Sequence, residues 1–128
     1  MPADFQSKVK SVKKLTNNVG GGSANKDAAV TATTDKLFLL SYSEIVPTSY
    51  WASNNPWTSS EGTQYEAFKD KVTNSYSGND CLKIGNYWWE RSANPHSSYN
   101  FLSVSSDGDP SYHYGATRSG CVCPAFSF

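Results

Sequence analysis

Two adjacent tryptophans, Trp88 and Trp89, flanked by Tyr87 and by the pair Glu90/Arg91, constrain this chain more than any other stretch. So many large side chains in five residues read as a strand, and a strand this bulky has to pack against something. An alternating apolar run, Val122, Pro124–Phe126 and Phe128, closes the sequence. Tyr87–Arg91 and Val122–Phe128 are therefore expected to be scaffold, with Trp88, Trp89, Phe101, Val122 and Phe126 in the core. Between these ends the composition changes. Across Ser92–Ser119, 19 of 28 residues are Ser, Tyr, Asn, His, Asp or Gly, which points to a displayed surface. Tyr offers contact area at low entropy cost, while Ser, Gly and Asn offer adaptable hydrogen bonding, the physics of antibody paratopes. Polar loops on many β-rich domains are serine-rich, but the bulk of Tyr112-His113-Tyr114 and His96–Tyr99 is costly unless a partner covers it. The expected ligand contacts are His96, Ser98, Tyr99, Asn100, Ser103, Ser105, Asp107, Tyr112, His113, Tyr114 and Arg118.

Length and charge set looser bounds. A chain of 128 residues suits a single domain over 1–128 with one modest core. A formal net charge of zero supplies no electrostatic case for nucleic acid or a membrane surface, so neither is an expected partner. Hydrophobic content of 38% is low, yet 14% aromatic argues against disorder. No apolar run approaches the roughly 20 residues of a membrane helix, and no segment reads as a signal peptide. An extracellular or cell-surface setting thus requires that this be part of a longer chain. Cys81, Cys121 and Cys123 are an odd number, so at least one thiol stays unpaired in a monomer. The C-x-C pair is poorly placed to bond to itself, and buried or half-buried thiols are expected.

Along the chain, Pro2–Lys14 begins as a helix, and Val9–Leu15 fits either its continuation or a strand. Four lysines, Lys8, Lys10, Lys13 and Lys14, read as a solvated face, because no aromatics or glycine loops interleave them. Asn17–Asp27 contains three consecutive glycines, and 15–34 is expected to be a flexible loop. Leu37–Leu40 reads as a fully buried strand, and Tyr42–Val46 as one helical turn ending before Pro47. Tyr65, Phe68 and Val72 recur at helical spacing after a Ser/Thr cap, the strongest helix signal present. Leu82–Ile84, Phe101–Ser105, Ser111–Ala116 and Val122–Phe128 are expected strands, with a turn at Asp107-Gly108. The class is α+β, with short antiparallel strands and one or two helices.

Catalysis has weak support. Serines, two histidines and several carboxylates are present, but without a G-x-S-x-G elbow or another local signature. Glu90/Arg91 reads better as an ion pair or as partners of backbone groups than as an acid/base pair. Asp107, Asp109 and Asn100 lack the acidic ladder of a calcium loop. No cofactor, no metal and no catalytic residue is expected.

DKLFLLS (Asp35–Ser41), NYWWERS (Asn86–Ser92), VSSDGDP (Val104–Pro110) and VCPAF (Val122–Phe126) together resemble the bacterial domain of unknown function 6273. Its members show D-K-(I/L)-F-L-L-S, W-W-x-R-S, S-D-G and a closing G-V-R-P-A-F-like strand in this order. Cys121 and Cys123 stand where that family has Gly and Arg. Family domains also carry a further portion before the segment matching Met1–Lys14, so the resemblance implies a shortened version. It also implies a C-type-lectin-like fold, similar to formylglycine-generating enzymes and to the variable proteins of diversity-generating retroelements. In those variable proteins, adenine-directed mutagenesis diversifies exposed positions into a palette close to that of Ser92–Gly120. The resemblance thus implies a non-enzymatic domain that binds a protein or glycan on a cell or phage surface. Two alternatives stand beside it: an enzyme of the formylglycine-generating type or another using Cys/His, and a structural module of a bacterial surface protein. The E-P-N, Q-P-D and W-N-D triplets of calcium-dependent sugar binding do not occur.

Overall fold

A computed structural model describes residues 3–17, 30–47, 60–73, 79–94 and 99–127. Helix α1 (Ala3–Lys8) carries Asp4 in its first turn and Lys8 in its last, the order that suits the helix dipole. Strand β1 (Val12–Asn17) follows and pairs antiparallel with β2 (Val30–Asp35), Val12 opposite Asp35 and Asn17 opposite Val30. This corrects the expected loop over 15–34: residues 15–17 and 30–34 are paired strand, and 18–29 lie outside the described residues. The glycine run says nothing about its flanks. There Thr31, Thr33 and Thr34 are β-branched, which suits a ladder.

A second sheet has the order β3-β4-β5, all antiparallel: β3 (Trp88–Ala93), β4 (Asn100–Val104) and β5 (Tyr112–Gly115). Trp88 stands opposite Val104 and Trp89 opposite Ser103. Phe101 then faces Tyr114, Leu102 faces His113, and Ser103 faces Tyr112. The register shifts between Trp89 and Ala93. Two antiparallel sheets with few and short helices make an α+β architecture.

The core forms on one side of the second sheet. Trp88, Leu102 and Val104 are buried there with Phe38, Leu40, Tyr42, Ile45, Val46, Val72 and Leu82. The short helix α2 (Tyr42–Ile45) is sunk into this core and holds its first turn with a capping box. Ser41 Oγ accepts from the Glu44 N–H at 3.3 Å, and the Glu44 carboxylate accepts from the Ser41 N–H at 3.0 Å.

Several expected elements differ. The helix expected through Tyr65, Phe68 and Val72 is a series of turns. Lys69 N–H donates to Tyr65 O and Val72 N–H to Phe68 O, but Asp70 at φ 62° breaks the run, because a left-handed residue cannot propagate a right-handed helix. The apolar face survives: Val72 is core, and Tyr65 and Phe68 pack against it. Leu82–Ile84 is not a strand, since Asp80–Leu82 forms a 3-10 turn. In Leu37–Leu40 only Phe38 bridges, to Ala125, and Leu37 is exposed.

The closing run is likewise no continuous strand. It touches three places in turn: Cys121 beside Trp88, Ala125 beside Phe38, and Ser127 beside Lys10. Cys121, Cys123 and Ala125 face the core, so the alternation turns Val122 and Phe126 outward. Both were expected inside, as was Phe101, which β4 exposes because its neighbour Leu102 takes the core position. All three cysteines are free thiols; Cys121 and Cys123 are half-buried, and Cys81 is exposed, against expectation.

Candidate functional site

Strand pairing divides the second sheet into unlike faces. Directly opposed residues share a side, and successive residues alternate. Trp88, Leu102, Val104 and Glu90 therefore face inward, while Trp89, Phe101, Ser103, Tyr112 and Tyr114 face out. Tyr87, two residues before Trp89, joins them. Its ring centroid lies 4.3 Å from that of Tyr114 and 5.9 Å from that of Trp89, the latter edge-on at 86°. Tyr114 also lies 5.1 Å from Tyr112 and 6.4 Å from Trp89. Such tilted and edge-to-face pairs match ring quadrupoles and fix the rings relative to one another.

Chain running beside β3 holds this cluster. A Cβ on Gly120 would stand 2.5 Å from the Tyr87 ring and 2.7 Å from Trp89 Nε1, so only glycine fits there. The Tyr87 hydroxyl donates to Ser119 O, and Trp89 N–H donates to Cys121 O at 3.1 Å. Arg118 stacks on the outside, 4.3 Å from the Tyr114 centroid and 5.9 Å from that of Tyr87. Burial and then Tyr112 hold the Tyr114 phenol above its usual pKa, outweighing Arg118, so it is neutral at neutral pH. Beside the rings opens a pocket of about 430 Å³ lined by Thr16, Leu39, the Trp89–Glu90–Arg91 stretch of β3, Phe101 and Ala116. That volume falls in the range of small-ligand sites, and its walls are mainly apolar.

Beneath the pocket lies a buried polar node. All five N–H groups of Arg91 are occupied: by the carbonyls of Leu15 (3.1 Å), Leu39 (2.7 Å) and Glu61 (3.0 Å), and by both Glu44 oxygens (2.6 and 3.1 Å). Glu44 also accepts from Lys14 Nζ at 2.7 Å and from Tyr65 OH at 3.3 Å. Burial raises the Glu44 carboxyl, but the hydrogen bonds from Arg91, Lys14 and Ser41 outweigh it and leave a net lowered pKa. Glu61, accepting from Ser92 Oγ at 2.8 Å, is shifted upward by burial in spite of that bond. Glu90 is fully buried, and neither carboxyl oxygen has a hydrogen-bond partner among the described residues. Burial, then Glu61 and Asp109, pushes it well above the usual carboxylate range. No group of three His, Cys, Asp or Glu among the described residues is placed to hold a metal.

The expected contact residues thus separate. Tyr112, Tyr114 and Arg118 come together on the outer face. Asn100 and His113 meet on the opposite face at the sheet margin, with Asn100 Nδ2 3.2 Å from His113 Nδ1. Tyr99 is exposed beyond the β4 end. Ser105 and Asp107 belong to the turn before Gly108, where Ser105 Oγ accepts from the N–H groups of Asp107 and Asp109. Gly108 adopts φ 82°, and a Cβ there would meet Asn79 O at 2.7 Å. Ser103 is a correction: paired between Trp89 and Tyr112, it is fully buried and displays nothing. His96 and Ser98 lie outside the described residues.

Tyr87, Trp89, Phe101 and Gly120 were not among the expected contacts. The signal for the three rings was the strand alternation of Y-W-W and F-L-S, whose odd-numbered members turn outward; nothing in the sequence marks Gly120. Lys14, expected on a solvated face, is buried against Glu44, and nothing in the lysine run marks it. Glu44 was not singled out from the sequence; the signal that could have found it is the capping-box spacing Ser41-x-x-Glu44. Glu90 and Arg91 were expected as an ion pair or as partners of backbone groups: Arg91 does meet backbone carbonyls, but its ion pair is with Glu44, and the Glu90 carboxyl has no hydrogen-bond partner among the described residues.

Compared with known families, the chain matches the domain of unknown function family DUF6273 over residues 1–128, and it belongs to that family. No curated protein and no solved structure matches it.

Proposed function

We propose that this member of the DUF6273 family is a non-enzymatic binding domain that offers the outer face of its second sheet to a protein or glycan. One observation carries the reading: Tyr87, Trp89, Phe101, Tyr112 and Tyr114 gather on one sheet face beside an open pocket, while the core lies on the other face. Phe101 and Tyr112 are 41% and 43% exposed, an unfavourable placement for large rings unless a partner covers them. Rigid aromatic anchors around a pocket are the usual centre of an interface hot spot. The scaffold in this proposal is C-type-lectin-like and the setting extracellular, on a longer bacterial surface protein facing a cell or a phage. The Ser, Tyr, Asn and His positions between Ser92 and Ser119 are then sites of retroelement-driven diversification.

Wild type and the double variant Phe101→Ser/Tyr112→Ser are to be compared on arrays of bacterial and phage surface proteins and of glycans. A ligand bound by the wild type and lost by the variant, with urea midpoints alike, is the expected result. Equal binding by both, or a collapse of the variant's stability, sinks the proposal. For diversification, a reverse transcriptase gene nearby and a near-copy of codons 87–128 differing mainly at adenines are expected. A neighbourhood without either removes that part.

A further inference from the structure

The chain has only two arginines, and they are in opposite states. Arg91 has all five donors occupied and its charge matched by Glu44. Arg118 is exposed, and its guanidinium makes no ion pair or hydrogen bond among the described residues. It is nevertheless held in place, lying over Tyr114 at 4.3 Å and near Tyr87 at 5.9 Å. A cation–π contact occupies no oxygen acceptor, so the guanidinium is held beside the rings while its N–H groups stay open to a ligand. The turn before it adds to this, since Arg118 N–H donates to Gly115 O at 3.0 Å. No lysine follows Lys83, so Arg118 is the one unmatched permanent cation after it. Three acids follow Lys83: Glu90 is buried, Asp109 is engaged with Ser111 at 2.7 and 2.8 Å, and Asp107 is exposed in the turn before Gly108, with no ion pair to Arg118 among the described residues.

We infer that Arg118 is an oxyanion anchor: the ligand carries a carboxylate or phosphate on a flat apolar group, the oxyanion gripped by the Arg118 fork and the apolar part laid on the neighbouring rings. This rests on the binding-surface reading above and adds the ligand's chemistry to it. A planar fork pairs with two oxygens at once, which an ammonium cannot do. The platform of Tyr114 and Tyr87 means that little side-chain freedom is lost when the anion arrives.

The test is an NMR titration of the whole chain, reading the Arg118 Nε–H and the Trp89 indole N–H. The probes are benzoate, phenyl phosphate and the neutral isostere benzamide. Benzoate or phenyl phosphate is expected to bind saturably and about tenfold more tightly than benzamide, the size of a charge-assisted hydrogen-bond pair. Whichever of the two anions binds better assigns the oxyanion. Arg118→Gln is expected to reduce the anions to the benzamide level, and Arg118→Lys to keep only part of the preference, with circular dichroism spectra unchanged. Equal binding of benzamide and benzoate, unchanged anion binding in Arg118→Gln, or no binding by any probe overturns the anchor. Benzamide shifting Trp89 as strongly as benzoate removes the anchor and leaves the aromatic surface standing. An Arg118-dependent anion preference, with array ligands insensitive to Phe101→Ser/Tyr112→Ser, keeps the anchor and removes the wider surface.

Discussion

Arg91 and Arg118 sit on either side of the same pocket-and-ring surface, and they show how one residue type serves opposite ends. Arg91 ties β1, the Leu39 segment, α2 and the Glu61 turn into one node through its five donors. Arg118 ties nothing together; aromatic rings hold it in place and leave its donors free. A buried guanidinium has to be fully satisfied because an unpaired buried charge is very costly. An exposed one can be left unsatisfied, because water solvates it until a ligand arrives. The charge that holds the frame and the charge offered outward are therefore distinguishable by counting donors.

The largest test breaks the node. Arg91→Met leaves Lys14 as the one cation on Glu44 and takes a donor from the carbonyls of Leu15, Leu39 and Glu61, and is expected to cost about 3–5 kcal/mol in urea unfolding. Arg118→Met is expected to change the same measurement by less than about 0.5 kcal/mol, as surface substitutions do. Comparable losses at the two sites would dissolve the contrast.

Gly120→Ala comes next. It drives a methyl group into Tyr87 and Trp89, with an expected cost of about 1–3 kcal/mol and a weakened near-ultraviolet signal from the displaced rings. An unaltered spectrum would mean that the Gly120 segment does not hold the rings.

Glu90→Leu is expected to stabilise the fold by about 1–2 kcal/mol at neutral pH, because it removes a buried carboxyl without partners. The pH dependence has a definite sign. With its folded pKa raised, Glu90 stays protonated in the fold while the unfolded chain ionises. Its contribution is complete below the ordinary carboxylate value and is lost as pH rises through the folded value. Glu61 acts in the same direction. Glu44, net lowered, works the other way: its contribution is present above the ordinary value and is lost as pH falls through the folded one. Urea midpoints against pH should therefore decline less steeply on the alkaline side in Glu90→Leu than in wild type; identical slopes would mean that Glu90 is ionised in the fold.

The smallest effects separate packing from display. Tyr114→Ala, losing contacts to Tyr87, Trp89 and Tyr112, is expected to cost about 1 kcal/mol, and Tyr112→Ala less than about 0.5. The sequence alone treats Tyr112–Tyr114 as one displayed unit. Thermal midpoints of the two single variants decide whether Tyr114 belongs with the frame.

Part of the fold and of the site is legible in the residues themselves. Y-W-W-E-R-S, F-L-S-V and the Asp107-Gly108 turn carry the second sheet in their own alternation and turn chemistry, because strand periodicity is a local property. The capping box at Ser41 and Glu44 and the helical turn before Pro47 are local in the same sense. So is the Tyr/Ser-rich composition that marks the surface. Where local signals failed, a distant partner decided. Lys14 is buried because Glu44, thirty residues on, has its carboxylate there. The Asp70 backbone ends a helix that the spacing of Tyr65, Phe68 and Val72 favours. Val122 and Phe126 are outside because Cys121, Cys123 and Ala125 are the smaller residues that fit against Trp88 and Phe38.

The adjacent tryptophans illustrate the division. Residues 87–92 by themselves determined that large rings would flank a strand and that an arginine would need partners. Which tryptophan enters the core and which walls the pocket followed from pairing with Val104 and Ser103. Strand register is set by contacts far apart in the chain, and a slip of one residue exchanges the two faces. Likewise, Arg118 was an expected contact from its place in the displayed stretch, but only the folded chain brought Tyr87 and Tyr114, 31 and 4 residues away, against it.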